Sequence, residues 1–177
     1  MRYDEGMTSE DDALESLGQS GLLEVLKWAV RVAFARTGQD YDEDAGHDQM
    51  FVGVLNFLYI RDLLDRATAN GRYALPDGAN NLGEDVLGRG ITPEALRTMP
   101  LILPGRISRS DYRCSPGWAA DGYRVLLQSF KYGEVDRINW GQRSDAKRRV
   151  ASQAFITQGV LFSGEDFGLG AIVGIPD

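Results

Sequence analysis

The chain has 177 residues, 43% of them hydrophobic and 25% charged, which is the composition of about one globular domain and excludes wholesale disorder. Its formal charge of −7 is unevenly placed: residues 1–90 hold 17 acidic against 8 basic side chains, giving −9, and residues 91–177 hold 9 against 11, giving +2. A single cysteine, Cys114, excludes an internal disulfide and a cysteine-based zinc cage, and the acidic N-terminal stretch is unlike a signal peptide. The longest apolar runs, 22–34 and 50–60, are too short to span a bilayer, so a cytoplasmic protein without membrane contact is expected.

A single domain over 1–177 is expected, with residues 1–7 as a tail. Thr8 or Ser9 caps a short helix with Glu10, Asp11 and Asp12 in its first turn, and Gly18 and Gly21 interrupt it. Ser20 starts a longer helix to about Arg36. Glu24, Lys27 and Arg31 form one polar stripe on it, the other positions are apolar, and Gly38 is the natural stop. A second long helix is predicted from about Asp48 to Ala69, with Arg61/Asp65 and Asp62/Arg66 at helical spacing on its exposed end. Two apolar helices joined by a short loop predict a buried antiparallel helical hairpin.

Residues 70–90 turn to Gly, Asn, Pro and Asp and are expected to form a long loop. Thr92-Pro93-Glu94 is a cap, a first-turn proline and an acid, the signature of a helix start that must end before Pro100. Leu101 to Leu103, between Pro100 and Pro104, suggests a brief strand or buried extended segment. Ser115-Pro116 repeats the cap-then-proline pattern. With Trp118, Ala119, Tyr123, Leu126, Leu127 and Phe130 on one face, it predicts a third amphipathic helix over 116–131, closed by Gly133. Alternation over 135–140 suggests a strand, Ser144 caps a last helix, and the glycine- and β-branched-rich 155–175 reads as one or two short strands with a turn at Ser163-Gly164. The fold class expected is helix-dominated α+β: the buried hairpin, the third helix and a minor β element in the C-terminal third.

Two constellations carry chemistry. Asp40, Asp42, Asp44 and Asp48 occupy positions 1, 3, 5 and 9 of a twelve-residue calcium loop between helices, with His47, the only histidine, among them. Position 6 is Ala45 rather than glycine and position 12 is Phe51 rather than glutamate, so no cofactor is expected beyond a weakly held divalent cation. The second is a basic, aromatic-interleaved segment. Residues 97–149 hold 11 basic against 5 acidic side chains, giving +6. Arg106, Arg109 and Arg113 recur at three- and four-residue spacing, and Arg143, Ser144, Lys147, Arg148 and Arg149 surround a predicted helix start, where free N–H groups and the helix dipole attract anions. Ser144 and Lys147 share the Ser-x-x-Lys spacing of certain acyl-transfer enzymes, but neither companion motif occurs and Ser144 is expected to be a plain cap. Gly168, Gly170 and Gly174 lack the helix and second strand that a dinucleotide loop requires.

The function expected is therefore that of a non-enzymatic binding or regulatory module, contacting nucleic-acid phosphate or an acidic protein partner through the basic surface at 106–149. The alternatives are a divalent-metal-assisted hydrolase using the acidic loop 40–48, and a structural subunit whose apolar hairpin completes an oligomer or larger assembly.

Overall fold

The computed structural model describes residues 10–76, 79, 82–112, 115–128, 137 and 171–174. It is a helix-dominated α+β fold with helices first and a small antiparallel sheet after them. Helix α1 (Glu10–Gln19) runs through Gly18 and ends at Ser20, which is buried and donates its hydroxyl to the Leu17 carbonyl at 2.8 Å. Gly21 then takes φ +82°, and a Cβ there would meet the Ile102 side chain at 2.6 Å, so only glycine lets the chain turn and Ile102 seat.

Helix α2 (Leu22–Asp40) passes its expected stop, because Gly38 lies in open space and nothing forces an exit. Val25, Leu26, Trp28, Ala29, Val30, Val32 and Ala33 are buried, leaving the expected polar stripe outside. Helix α3 (Gln49–Ala67) is capped by Asp48, whose Oδ1 accepts from the N–H groups of Met50 at 2.9 Å and Phe51 at 3.0 Å. α2 and α3 pack closely as the antiparallel hairpin, with Ile60, Leu63 and Leu64 of α3 in the core. The first half of α3 is less buried than its apolar content suggests: Met50, Val54 and Leu58, at four-residue intervals, are 74%, 52% and 38% exposed. Among the described residues no helix is long and apolar enough to cross a membrane.

The stretch expected as a loop at 70–90 includes a 3-10 turn, Gly71–Tyr73, and a one-turn helix α4 (Glu84–Leu87). Helix α5 (Pro93–Arg97) is capped as its signature requires, the Thr92 hydroxyl accepting from the Ala95 N–H at 3.1 Å. Leu101–Leu103 is neither strand nor buried segment. Leu101 and Leu103 are 93% and 78% exposed, and only Ile102 packs on the core. No strand among the described residues pairs with these three residues.

The predicted helix over 116–131 is instead a β-hairpin. Strands β1 (Ser108–Arg109), β2 (Gly117–Ala120), β3 (Tyr123–Leu127) and β4 (Ala171–Gly174) form an antiparallel sheet in that order. Asp121 and Gly122 both adopt positive φ, +49° and +85°, between the paired Ala120 and Tyr123. That is the two-residue turn that matches strand twist, and Asp-Gly is its strongest sequence signal. Two glycines inside the span would each weaken a helix by about 1 kcal/mol. Pro116, expected at a helix start, is buried, and its carbonyl accepts from the Leu127 N–H at 2.9 Å. Trp118, Ala120, Tyr123, Val125 and Leu127 join α1, α2, α3 and Ile107 in one core, so helices and sheet share a single apolar interior. β4 supplies the expected β element near the C-terminal end; the strand expected at 135–140, the Ser144 helix and the Ser163-Gly164 turn lie outside the described residues, Arg137 apart.

Candidate functional site

Three carboxylates of the acidic loop, Asp40, Asp42 and Asp48, accept from backbone or side-chain donors. Asp42 Oδ1 accepts from the N–H groups of Asp44 at 3.0 Å and Ala45 at 3.3 Å, a local turn of the kind Asp readily makes. Asp48 caps α3, and Asp40 accepts the Tyr59 hydroxyl at 2.6 Å. His47 Nδ1 accepts from the Asp42 N–H at 2.9 Å, and its ring stacks on Phe51 with centroids 3.6 Å apart. Asp44 is exposed. Asp40, Asp42, Asp44, Asp48 and His47 are thus near in sequence without forming a ligand set. Among the described residues no three His, Cys, Asp or Glu side chains are grouped to hold a metal ion.

The basic segment is divided. Arg106 reaches Asp121 of the hairpin turn at 3.1 Å. Arg109, four-fifths buried, bonds both Asp65 on α3 and its neighbour Asp111, with its guanidinium 4.6 Å from the centre of the Trp118 ring. Arg124 Nε donates to the Ser110 hydroxyl at 2.8 Å. Arg113, Arg143, Ser144, Lys147, Arg148 and Arg149 lie outside the described residues.

Arg109 belongs to a polar junction between α3, the 70–90 connection and the sheet. Asp62 accepts from Arg66, from the Tyr73 hydroxyl at 2.7 Å and from Arg72. Arg66 has only 3% of its side chain exposed and also donates to the carbonyls of Leu87 at 3.0 Å and Arg89 at 2.6 Å. Asp65 accepts from Arg109 and from Trp118 Nε1, the latter at 3.1 Å. Asn70 ties the same corner, donating to the Ile107 carbonyl at 2.9 Å and accepting from the Arg109 N–H at 3.1 Å. Burial is the largest influence on both carboxylates and pushes each upward. At Asp62 the Tyr73 hydroxyl, Arg66 and Arg72 outweigh it and hold the acid below its ordinary 3.8. At Asp65 burial prevails over Arg109 and Trp118, aided by the charge of Asp111, and the acid sits above 3.8. Arg109 is drawn up by Asp111 and Asp65 against its own burial.

Beside this junction lies a half-open cleft of about 560 Å³ between the C-terminal half of α2 and residues 90–98. Val32, Ala35, Arg36 and Gln39 recur at three- and four-residue spacing and present one face of α2 to it, flanked by Arg31 and Asp40. The facing wall is Gly90, Ile91, Thr92, Glu94, Ala95 and Thr98, fixed to α2 where Trp28 Nε1 donates to the Ala95 carbonyl at 2.9 Å. The Arg36 guanidinium stacks 4.1 Å from the Tyr59 ring centre. Gly90, at φ +71°, approaches it so closely that a Cβ would stand 2.9–3.1 Å from Nη1, Cζ and Nη2 together, over the guanidinium face. Sequence reasoning missed both features; a lone positive-φ glycine and an arginine that stacks on another helix's ring carry no local signature. Comparison with protein-family models, curated proteins and solved structures finds no match for this chain.

Proposed function

We propose that this protein is a non-enzymatic binding module that contacts nucleic-acid phosphate through basic residues of its second half. The supporting observation is the surplus itself: residues 97–149 hold 11 basic against 5 acidic side chains, giving +6. Arg106 pairs with Asp121 and Arg109 with Asp111 inside that segment, and Arg109 also reaches Asp65 on α3. Arg106 and Arg109 are held by Asp121, Asp65 and Asp111, so the contact falls to side chains further along, Arg143, Lys147, Arg148 and Arg149, together with Arg97, which is exposed and has no ion-pair partner among the described residues. Arg143→Glu with Lys147→Glu is expected to weaken filter binding to a mixed-sequence oligonucleotide and to flatten its salt dependence by about one unit of log–log slope for each phosphate that is no longer neutralised. Unchanged affinity with an intact fold refutes the reading; binding to polyglutamate alone redirects it to an acidic protein.

A second reading, a structural subunit, draws on the exposed row Met50, Val54 and Leu58 of α3. A monomer by light scattering at high concentration argues against it.

A further inference from the structure

We infer that the cleft between α2 and residues 90–98 is a binding site for a small zwitterion with an apolar body, of which a free apolar α-amino acid is the simplest case. The volume, about 560 Å³, is that of small-molecule sites. Its lining combines apolar Val32, Ala35, Ile91 and Ala95 with two cations, Arg31 and Arg36, and two anions, Asp40 and Glu94. None of these four makes an ion pair with another described residue. Opposite charges that line one cleft with no ion pair between them leave both signs available to a ligand that carries both. A purely anionic guest would meet Asp40 and Glu94, and a purely cationic one would meet the arginines.

The arrangement is also preorganised. Arg36 is fixed by the Tyr59 ring at 4.1 Å and by the Gly90 backbone, so its free N–H donors need little reordering to take a carboxylate. Asp40 is fixed through Oδ2 by Tyr59 and keeps Oδ1 for an ammonium. The far wall is pinned twice, by Trp28 to Ala95 and by Arg66 to the Leu87 and Arg89 carbonyls, so the cleft width is set by the core. Arg36 therefore takes the carboxylate and Asp40 with Glu94 takes the ammonium, with the side chain of the ligand against the apolar lining residues.

The test is calorimetric titration of the full chain with L-phenylalanine, N-acetyl-L-phenylalanine and L-phenylalanine amide. The free amino acid is expected to bind with a Kd below about 1 mM, and the two analogues, each lacking one charge, at least about tenfold more weakly. Arg36→Ala and Glu94→Gln should each cost about tenfold or more. Arg31→Ala, an exposed helix position where alanine is well tolerated, gives a variant whose folding is not in question and should weaken binding severalfold. Absence of binding at about 10 mM, equal binding of either analogue, or full affinity in all three variants overturns the proposal.

Discussion

Replacing Arg66 with methionine tests whether the polar junction holds the fold together. The guanidinium, 3% exposed, joins Asp62 on its own helix to the carbonyls of Leu87 and Arg89, more than twenty residues away. Removing one partner of a buried ion pair costs about 3–5 kcal/mol, because the remaining charge stays desolvated. Asp62 is 17% exposed and keeps the Tyr73 hydroxyl and Arg72, which moves the cost to the lower end. The two carbonyls lose donors of a charged group, while the methionine stem retains most of the apolar packing of the arginine stem and no longer buries a charge. Together these give a net loss of about 3 kcal/mol, a large part of the roughly 5–15 kcal/mol of an ordinary domain. Urea unfolding followed by far-UV circular dichroism should show the midpoint falling by about 1–3 M for a slope of about 1–3 kcal/mol per molar. Arg66→Lys keeps the charge but lacks the fork that reaches four acceptors at once, and should lose about half as much. An Arg66→Met midpoint corresponding to less than about 0.5 kcal/mol would refute the reasoning, since that is the cost of an ordinary surface change.

Two further predictions concern the sheet and the acids. At Gly117 a Cβ would stand 2.6 Å from the Ser110 carbonyl oxygen, 2.7 Å from Leu126 Cδ2 and 2.9 Å from the Val125 carbonyl oxygen. Two of those three atoms are backbone, so Gly117→Ala should part the strands, costing about 2 kcal/mol or more and lowering Tm by about 4–8 °C in calorimetry; an unchanged Tm would contradict the position of β2 between β1 and β3. Asp62, held low in the folded state, contributes stability that is complete above 3.8 and is lost as pH falls through its folded value. Asp65, held high, contributes in the opposite sense: its share is complete below 3.8 and is lost as pH rises through its folded value. Asp62→Asn should thus flatten the decline in stability below pH 3.8, and Asp65→Asn should steepen the rise just above it. Parallel shifts of both curves, with no change in slope, would contradict this assignment.

The helical hairpin was legible because its signals are local and agree. Asp48 caps, Leu, Val and Phe crowd both helices, and the connection is short enough to force neighbours together. The β-hairpin was misread because two local signals conflict. Ser115-Pro116 and a three- and four-residue apolar spacing favour helix, while Asp121-Gly122 favours a tight turn, and the turn prevails because β1 and β4 offer pairing that the local sequence does not display. The polar junction was half legible. Asp62 and Arg66 stand four apart and do pair, but Asp65 finds Arg109 44 residues away and Trp118 53 residues away instead of Arg61 one turn back. A contact between elements that distant depends on how the sheet packs on α3, and no spacing rule encodes it.

The arginines of this chain divide by what holds them, and that division bears on function more than their number does. Arg66 and Arg109 are buried among acceptors and aromatic rings, and their charge serves to join α3 to the 84–90 segment and to the sheet. Such groups cannot turn outward to a ligand without leaving Asp62 or Asp65 unpaired in a desolvated site, at a cost of several kcal/mol. Arg31, Arg36 and Arg97 make no ion pair among the described residues, so contact with an external anion breaks none there. The two groups are nonetheless linked. Arg66 grips the carbonyls of Leu87 and Arg89, and the next residue, Gly90, is the one that closes over Arg36. An Arg66 variant that folds should therefore lose the fixed position of Arg36 before it loses the helical hairpin, so that the cleft fails at a lower urea concentration than the core.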